Sequence, residues 1–172
     1  EIVFSSAGGT SLSVDWAEEE DPDSYFVVDL SSTGSFQLVI FEESITFLEP
    51  GDEIGIFDMN GVVESCNPDD GCNEPTYGEV LVGAAIWTGN QIEVSTIMSV
   101  DLSDFNGPTL NGAVSGNEVV VKVYKQADQT EYDVLTMWSA GNGNFGDILL
   151  AVSELGMFEE AEVSINEFFF RS

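Results

Sequence analysis

The sequence contains no histidine, and only three of its 172 residues, Lys122, Lys125 and Arg171, are basic. Without histidine the usual catalytic triads are excluded, and no glycine-rich phosphate-binding loop is present. Paired carboxylates can hydrolyse glycosides without histidine, and acidic residues are abundant. Taken together, these absences predict that the protein is not an enzyme.

Positive charge is scarce, and 32 acidic residues give the chain a formal net charge of −29. Nucleic acid and anionic membrane surfaces are therefore not expected partners, because almost nothing is available to neutralise phosphates. Self-repulsion at this net charge weakens as salt shortens the Debye length, to about 3 Å near 1 M, so the chain suits salty or divalent-rich surroundings. No run reaches the ~18 apolar residues of a transmembrane helix, so membrane insertion is not expected.

Cysteine occurs only twice, at Cys66 and Cys72, within the turn-rich sequence CNPDDGC. A disulfide and a zinc pair are the competing interpretations, but no further cysteine and no histidine exist to complete a four-ligand zinc shell. We therefore expect a Cys66–Cys72 disulfide. Because disulfides persist in oxidising compartments, a Cys66–Cys72 disulfide favours an extracellular or cell-surface location.

Hydrophobic residues make up 43% of the chain, which is enough for a packed core, and the length fits one domain over residues 1–172. No segment keeps a helical period. Ten to twelve short apolar segments instead predict an all-β fold, an antiparallel β-sandwich of jelly-roll or immunoglobulin-like architecture, with a closed barrel as the alternative. The predicted strands cover residues 1–6, 12–16, 25–30, 36–41, 54–57, 80–87, 92–98, 119–124, 132–138, 148–152 and 162–170, with a looser alternation over 45–48.

The rest of the chain is organised around residues 51–83, where two apolar runs flank a polar excursion that holds both cysteines. The first run is closed by the sequence DMNG at residues 58–61, which predicts a tight turn. Together the two runs predict a β-hairpin whose tip is the place to look for a functional site. A second long loop is expected over residues 101–116.

A series of short blocks follows in the order GDEIGIFD (51–58), GEVLVGA (78–84), WTG (87–89), SGNE (115–118), VKVY (121–124), EY (131–132) and GNGNFG (141–146). This series resembles a module that recurs in large secreted and surface proteins of marine and Bacteroidetes-type bacteria. The resemblance covers about residues 47–155. It implies an exported, non-catalytic β module found beside adhesive, carbohydrate-related or sorting domains, with no settled activity to transfer. The chain departs from that pattern in its N-terminal strands and its phenylalanine-rich last strand.

Calcium is the first candidate ligand, because a hard cation takes six to eight oxygen ligands and this chain has many carboxylates and amides in turns. No EF-hand loop is present, and a solvated acidic surface is the alternative interpretation. The candidate ligands lie beside the turn at 58–61 and in the cysteine loop: Asp58, Asn60, Glu64, Asp69 and Asp70, with Asn73 and Glu74 next to them.

Carbohydrate is the second candidate ligand, because flat aromatic rings and polar side chains together bind sugars. Of the three tryptophans and the tyrosines in the predicted strands and loops, Tyr77 and Trp87 are predicted to form the aromatic platform for a sugar. Tyr77 has the most loop-like surroundings, and it is therefore expected to be exposed. The alternative is that the tryptophans are core residues.

Self-assembly is the third candidate activity, and it depends on apolar segments at both ends of the sequence. A terminal strand that completes a neighbour's sheet would join subunits head to tail. The alternative is that both strands close the sheet of their own chain, and an uncovered phenylalanine run would be prone to aggregate. The residues concerned are Ile2, Val3, Phe4, Val163, Ile165, Phe168, Phe169 and Phe170.

These observations favour a non-enzymatic extracellular structural or adhesive protein, a subunit or module of a cell-surface assembly such as a filament. Self-association is the expected partnership, and calcium is the expected stabilising ion. The alternative function is a carbohydrate-binding module of a secreted enzyme system, with a glycan as its partner.

Overall fold

The computed structural model describes residues 24–72 and 74–157. This part of the chain is all-β, as the sequence predicts. Two single-turn 3₁₀-helices, Pro68–Asp70 and Ser103–Phe105, lie in the loops, and none of the described helices is long and apolar enough to cross a membrane. The strands of the described residues are β1 (Phe36–Phe41), β2 (Glu53–Glu64), β3 (Thr76–Ile86), β4 (Ile92–Ile97), β5 (Val120–Lys125), β6 (Thr130–Ala140) and β7 (Leu150–Met157).

The seven described strands form one mixed sheet in the order β3-β2-β5-β6-β7-β1-β4. Neighbours pair antiparallel except β1 and β7, which run parallel with Val39 opposite Leu150 and Phe41 opposite Val152. An antiparallel sandwich of ten to twelve strands is therefore not what the described residues form. The predicted strands at 1–6, 12–16 and 162–170 lie outside them.

The sheet curls until its two edge strands, β3 and β4, come together. A Cβ atom built on Gly83 of β3 would lie 2.8 Å from the carbonyl oxygen of Ser95 and 3.0 Å from the Thr96 methyl carbon, both on β4. No side chain fits between strands that approach so closely, so glycine is required there. The result is nearly barrel-like, which is closer to the alternative architecture than to the preferred one.

The core lies on the inner face of the curled sheet. Alternate residues of each strand point there because successive side chains of a β-strand face opposite sides. Each fully buried aliphatic side chain stabilises the fold by ~1.5–3 kcal/mol. The most deeply buried members include Val39, Phe41, Ile54, Ile56, Val82, Trp87, Val94, Val121, Val123, Phe145 and Leu150.

Several predicted strands are confirmed with shifted ends, and the β2–β3 hairpin with its polar excursion is also confirmed.

Two local predictions are wrong. Residues 25–30 form no strand, because the backbone N–H groups of Tyr25 and Phe26 bind a side chain instead of a neighbouring strand. The tight turn at 58–61 is instead a register shift inside β2, which continues to Glu64. The looser segment 45–48 is also outside the strands.

Candidate functional site

Three carboxylates at the start and middle of β2 are almost completely buried: Asp52, Glu53 and Asp58 are 2%, 2% and 1% exposed. All three belong to the GDEIGIFD block. Burying a carboxylate is costly unless hydrogen bonds or a cation compensate for the lost water. Their partners therefore show what this block does in the fold.

Asp52 connects three segments at the start of β2. Its carboxylate lies 2.7 Å from the Lys125 ammonium and accepts the backbone N–H groups of Glu49 at 2.8 Å and Gln126 at 3.1 Å. The Lys125 ammonium also lies over the Phe47 ring, 4.4 Å from its centroid. Asp52 therefore joins the turn before β2 to the end of β5.

Glu53 is buried with uncharged donors only. Its carboxylate accepts the backbone N–H groups of Tyr25 at 2.8 Å and Phe26 at 3.1 Å, the Ser24 hydroxyl at 2.8 Å and the Gln126 amide at 3.2 Å. Several N–H and O–H donors can stabilise a carboxylate without a cation. Glu53 thereby fixes residues 24–26 across the sheet.

The segment that Glu53 holds is packed on the outer face of the sheet by its aromatic rings. A Cβ atom built on Gly55 would lie 2.9 Å from the Phe26 ring, so the absence of a side chain at Gly55 makes room for Phe26. The Tyr25 ring stacks on Tyr124 of β5 with centroids 4.0 Å apart. The Tyr25 hydroxyl donates to Glu131, and this hydrogen bond raises the pKa of Tyr25.

Asp58 ties the loop before β5 to the register shift in β2. Its carboxylate accepts the backbone N–H groups of Asn60 at 2.9 Å and Val114 at 2.8 Å, and the Asn117 amide at 2.9 and 3.0 Å. The same amide donates to the Asn60 carbonyl at 3.0 Å. Both oxygens of this predicted calcium ligand are thus engaged by the protein itself.

Asn60 lies beside Asp58, and the remaining predicted calcium ligands have other partners. Glu64, at the end of β2, accepts the Thr76 hydroxyl at 2.9 Å, while Asp69 and Asp70 lie in the 3₁₀-helix that Asn67 caps. Among the described residues, no three carboxylate or cysteine side chains come together as a metal-holding group. Calcium binding stays a prediction.

The cysteine loop is closed by the predicted disulfide, with Cα atoms of Cys66 and Cys72 5.4 Å apart. Cys66 also pairs with Thr109 through two backbone hydrogen bonds of 2.9 and 3.2 Å. The tip of the β2–β3 hairpin is therefore attached to the long loop at 101–116. Glu74 in the same loop is exposed, and Asn73 lies outside the described residues.

The two predicted sugar-binding residues have opposite surroundings. Trp87 is only 2% exposed and packs in the core, so its choice as a platform residue is wrong. Its backbone N–H donates to the Asp52 carbonyl at 2.7 Å, which explains the WTG block as part of the turn that leads out of β3. Tyr77 is 51% exposed, as its loop-like surroundings predict.

One cleft of the described residues was not predicted from the sequence. It opens between β5 and β6 and has a volume of about 840 Å³. Strands β5 and β6 pair only from Lys122–Asp133 to Lys125–Thr130, and from Val134 onward β6 pairs with β7 alone. A single sequence cannot reveal this separation, because β6 alternates regularly through it.

Charged side chains line one side of the cleft. The Lys122 ammonium lies 2.8 Å from Glu79 and 3.6 Å from Glu131, and the hydrogen bond to Glu79 raises the pKa of Lys122. Glu118 and Asp133 also line the cleft. Its rim is therefore acidic on balance, although one cation of the described residues lies there.

Comparisons of the chain with protein-family models, with curated proteins and with solved structures gave no significant match. In the described residues the GDEIGIFD block has a structural role, because each of its three carboxylates attaches a loop or segment to β2.

Proposed function

We propose that the protein is a non-enzymatic extracellular structural or adhesive protein, a subunit or module of a bacterial cell-surface assembly such as a filament, joined by β-strand donation. The observation that carries the proposal concerns the outer edges of the β6–β7 pair. Over part of their length, no described strand pairs with the edge of β6 that faces β5 or with the edge of β7 that faces β1. Exposed strand edges are templates for pairing with another chain. The disulfide agrees with an oxidising location, and the acidic surface suits salty surroundings.

Among the described residues, both strands have one paired edge and one edge without a partner strand over part of their length. Strand β6 from Val134 onward pairs with β7 only. Strand β7 pairs with β1 only from Leu150 to Val152, so no described residue pairs with its outer edge from Glu154 to Met157. A two-stranded ribbon is marginally stable by itself, and a third strand would stabilise it.

Apolar side chains on this ribbon support the same proposal. Leu135 of β6 and Met157 of β7 are each about half exposed. Apolar side chains next to a free strand edge favour contact with another chain, and flexible methionines adapt to varied partners. In this proposal calcium stabilises the assembly, with ligands among the exposed carboxylates of the cysteine loop.

The test is the state of the full chain in solution. Light scattering and negative-stain microscopy of the full chain are expected to reveal ordered polymers, and a variant that ends at Met157 is expected to be monomeric. A variant that lacks only Ser172 is the control, because it keeps the apolar residues and Arg171. A full chain that stays monomeric in salt and calcium would refute the proposal.

Carbohydrate binding is the second candidate function, and the exposure of the Tyr77 ring is the observation in its favour. Monomers retained on an insoluble polysaccharide, with retention lost in Tyr77→Ala, would support it. Tyr77→Phe keeps the ring and is the control. Equal retention of all three forms would exclude Tyr77 as the platform.

A further inference from the structure

The cleft between β5 and β6 is bounded on four sides. One end is the Lys122–Asp133 pair, and the other is the hydrogen bond of 2.8 Å from the Val119 N–H to the Gly143 carbonyl. The side walls are the start of β5 and the second half of β6. The two strands are therefore joined at both ends and separated between them.

The β6 wall presents backbone groups to the cleft. The Met137 carbonyl faces β7, because it accepts the Ser153 hydroxyl at 3.3 Å. Backbone groups of successive residues in a regular strand point to opposite edges, and β6 is regular from Val134 to Met137, so those of Val134 and Thr136 face the cleft. No described strand pairs with them there. An extended chain is the ligand that satisfies such a row of donors and acceptors.

The cleft also has apolar side chains that meet solvent. Met59, Leu135 and Met157 line it and are each about half exposed, and Trp138 lies partly buried between them. A chain that pairs with β6 would cover these side chains with its own apolar residues. A sugar would match the backbone donors and acceptors of the strand edge less well than an extended chain, and it would cover the methionine side chains less well.

Residues 162–170 have the sequence EVSINEFFF, which suits this cleft. Val163 and Ile165 alternate with Ser164 and Asn166, as in a strand with one apolar face. Arg171 follows directly and is opposite in charge to Glu118 and Asp133 of the cleft, whereas Glu162 and Glu167 of the segment share their sign, so Arg171 is the residue that favours one orientation. Charge complementarity of this kind fixes orientation and register more than affinity.

A neighbouring copy supplies this segment more easily than the same chain. Met157 lies opposite Val134, at the closed end of the cleft, and β7 runs antiparallel to β6, so the chain leaves Met157 heading away from the cleft. To return, it must cross β6, about 10 Å at the usual strand spacing. A second copy can present the segment to the cleft without this reversal and crossing.

We infer that the cleft between β5 and β6 accepts part of the segment 162–170 of a second copy of this chain, with residues 163–166 as a short added strand beside residues 134–136 of β6. The inference rests on the proposed function, because it names the acceptor and the donor of the same assembly. Each subunit then carries one acceptor and one donor, and the contact is head to tail.

The experiment uses full-length variants on each side of the contact. Leu135→Glu places a carboxylate at the cleft rim, and Met137→Glu, on the same strand and somewhat more exposed but outside the cleft, is its control. Ile165→Glu breaks the donor, and Asn166→Glu is its control. Because Leu135 is half exposed, the folded state is expected to tolerate the change, and a melting curve checks this.

Each of Leu135→Glu and Ile165→Glu alone is expected to be monomeric by light scattering, while both controls polymerise. An equal mixture of the two is expected to form particles of twice the monomer mass, because one intact donor meets one intact acceptor. Polymers that persist in Leu135→Glu would overturn the inference while the proposed function stands. Monomers of the unchanged chain would refute the proposed function itself.

Two further outcomes would also overturn the inference. Equal loss of polymers in Leu135→Glu and Met137→Glu would mean that the whole outer face of β6 is the contact, not the cleft. Retention of the unchanged chain on a polysaccharide, lost in Leu135→Glu while polymers persist, would assign the cleft to a glycan.

Discussion

Glu53 carries a carboxylate that the fold buries with uncharged donors around it. Each of its oxygens accepts hydrogen bonds from residues 24–26 or from Gln126, so the side chain must be an acceptor at both positions. The carboxylate is well suited to this, whereas an amide offers one acceptor and one donor. The negative charge is thus used inside the fold to hold a segment that makes no strand.

Glu53→Gln is expected to destabilise the protein by about 1–3 kcal/mol, because its amide donors face the backbone N–H groups of Tyr25 and Phe26. Urea unfolding measures the change. Glu49→Gln removes the same charge from an exposed side chain and is expected to change stability little. Equal effects of the two variants would mean that net charge, not the hydrogen bonds, determines the loss.

Gly55 is a glycine because Phe26 occupies the space where a side chain would lie. Gly55→Ala is expected to cost about 1–3 kcal/mol through displacement of the Phe26 and Phe57 rings. Gly156→Ala in β7, where a Cβ meets nothing within 4 Å, is the control and is expected to be neutral or slightly stabilising. Thermal unfolding compares the two, and a Gly55→Ala protein as stable as the control would show that Phe26 adapts freely.

At the scale of elements, strands with regular alternation and turn residues at both ends are found close to their predicted positions. Phe36–Phe41 is the clearest case, because its pairing with β4 and β7 reinforces the local preference. Residues 25–30 are also apolar and form no strand, and the backbone N–H groups of Tyr25 and Phe26 bind Glu53 instead. Local pattern cannot distinguish these cases, since the distinction depends on a residue some thirty positions away.

The loop at 101–116 contains the 3₁₀-helix Ser103–Phe105, and Asp101 accepts the Ser103 N–H at 2.8 Å. This hydrogen bond is the main reason why the pKa of Asp101 lies below its ordinary value of 3.8. A lowered folded pKa adds stability at pH values above 3.8, and the contribution is lost as the pH falls through the lower folded value.

Asp101→Asn is therefore expected to be less stable than the unchanged protein at neutral pH, and the difference is expected to shrink below pH 3.8. Urea unfolding at a series of pH values measures it. Asp104→Asn removes the same charge from the same helix without this hydrogen bond and serves as control. A difference that stays constant down to pH 2 would contradict the role of the ionised Asp101 side chain.

At the scale of the whole molecule, a net charge of −29 must repel itself wherever carboxylates lie close together on the surface. Only Lys122 and Lys125 among the described residues are basic, and both already pair with carboxylates. Salt is therefore expected to raise the melting temperature, most steeply at low ionic strength.

Calcium is expected to raise the melting temperature beyond this screening effect. A site that binds only the folded state adds about 2.7 kcal/mol at 100 times its dissociation constant, which corresponds to roughly 5–10 °C. Melting curves in calcium, after a chelator, and in magnesium of matched ionic strength separate binding from screening. Equal curves in calcium and magnesium would reduce the effect to charge screening.

The sequence by itself determined what depends on local composition and spacing: an all-β chain, a disulfide between Cys66 and Cys72, and an exposed Tyr77. Tertiary structure alone decided the mixed, curled sheet, the burial of Trp87 and the structural use of Asp58, and it alone opened the cleft between β5 and β6. The physical reason is that strand pairing and the burial of charge are settled between residues far apart in the chain, where alternation in one segment carries no information about its partner.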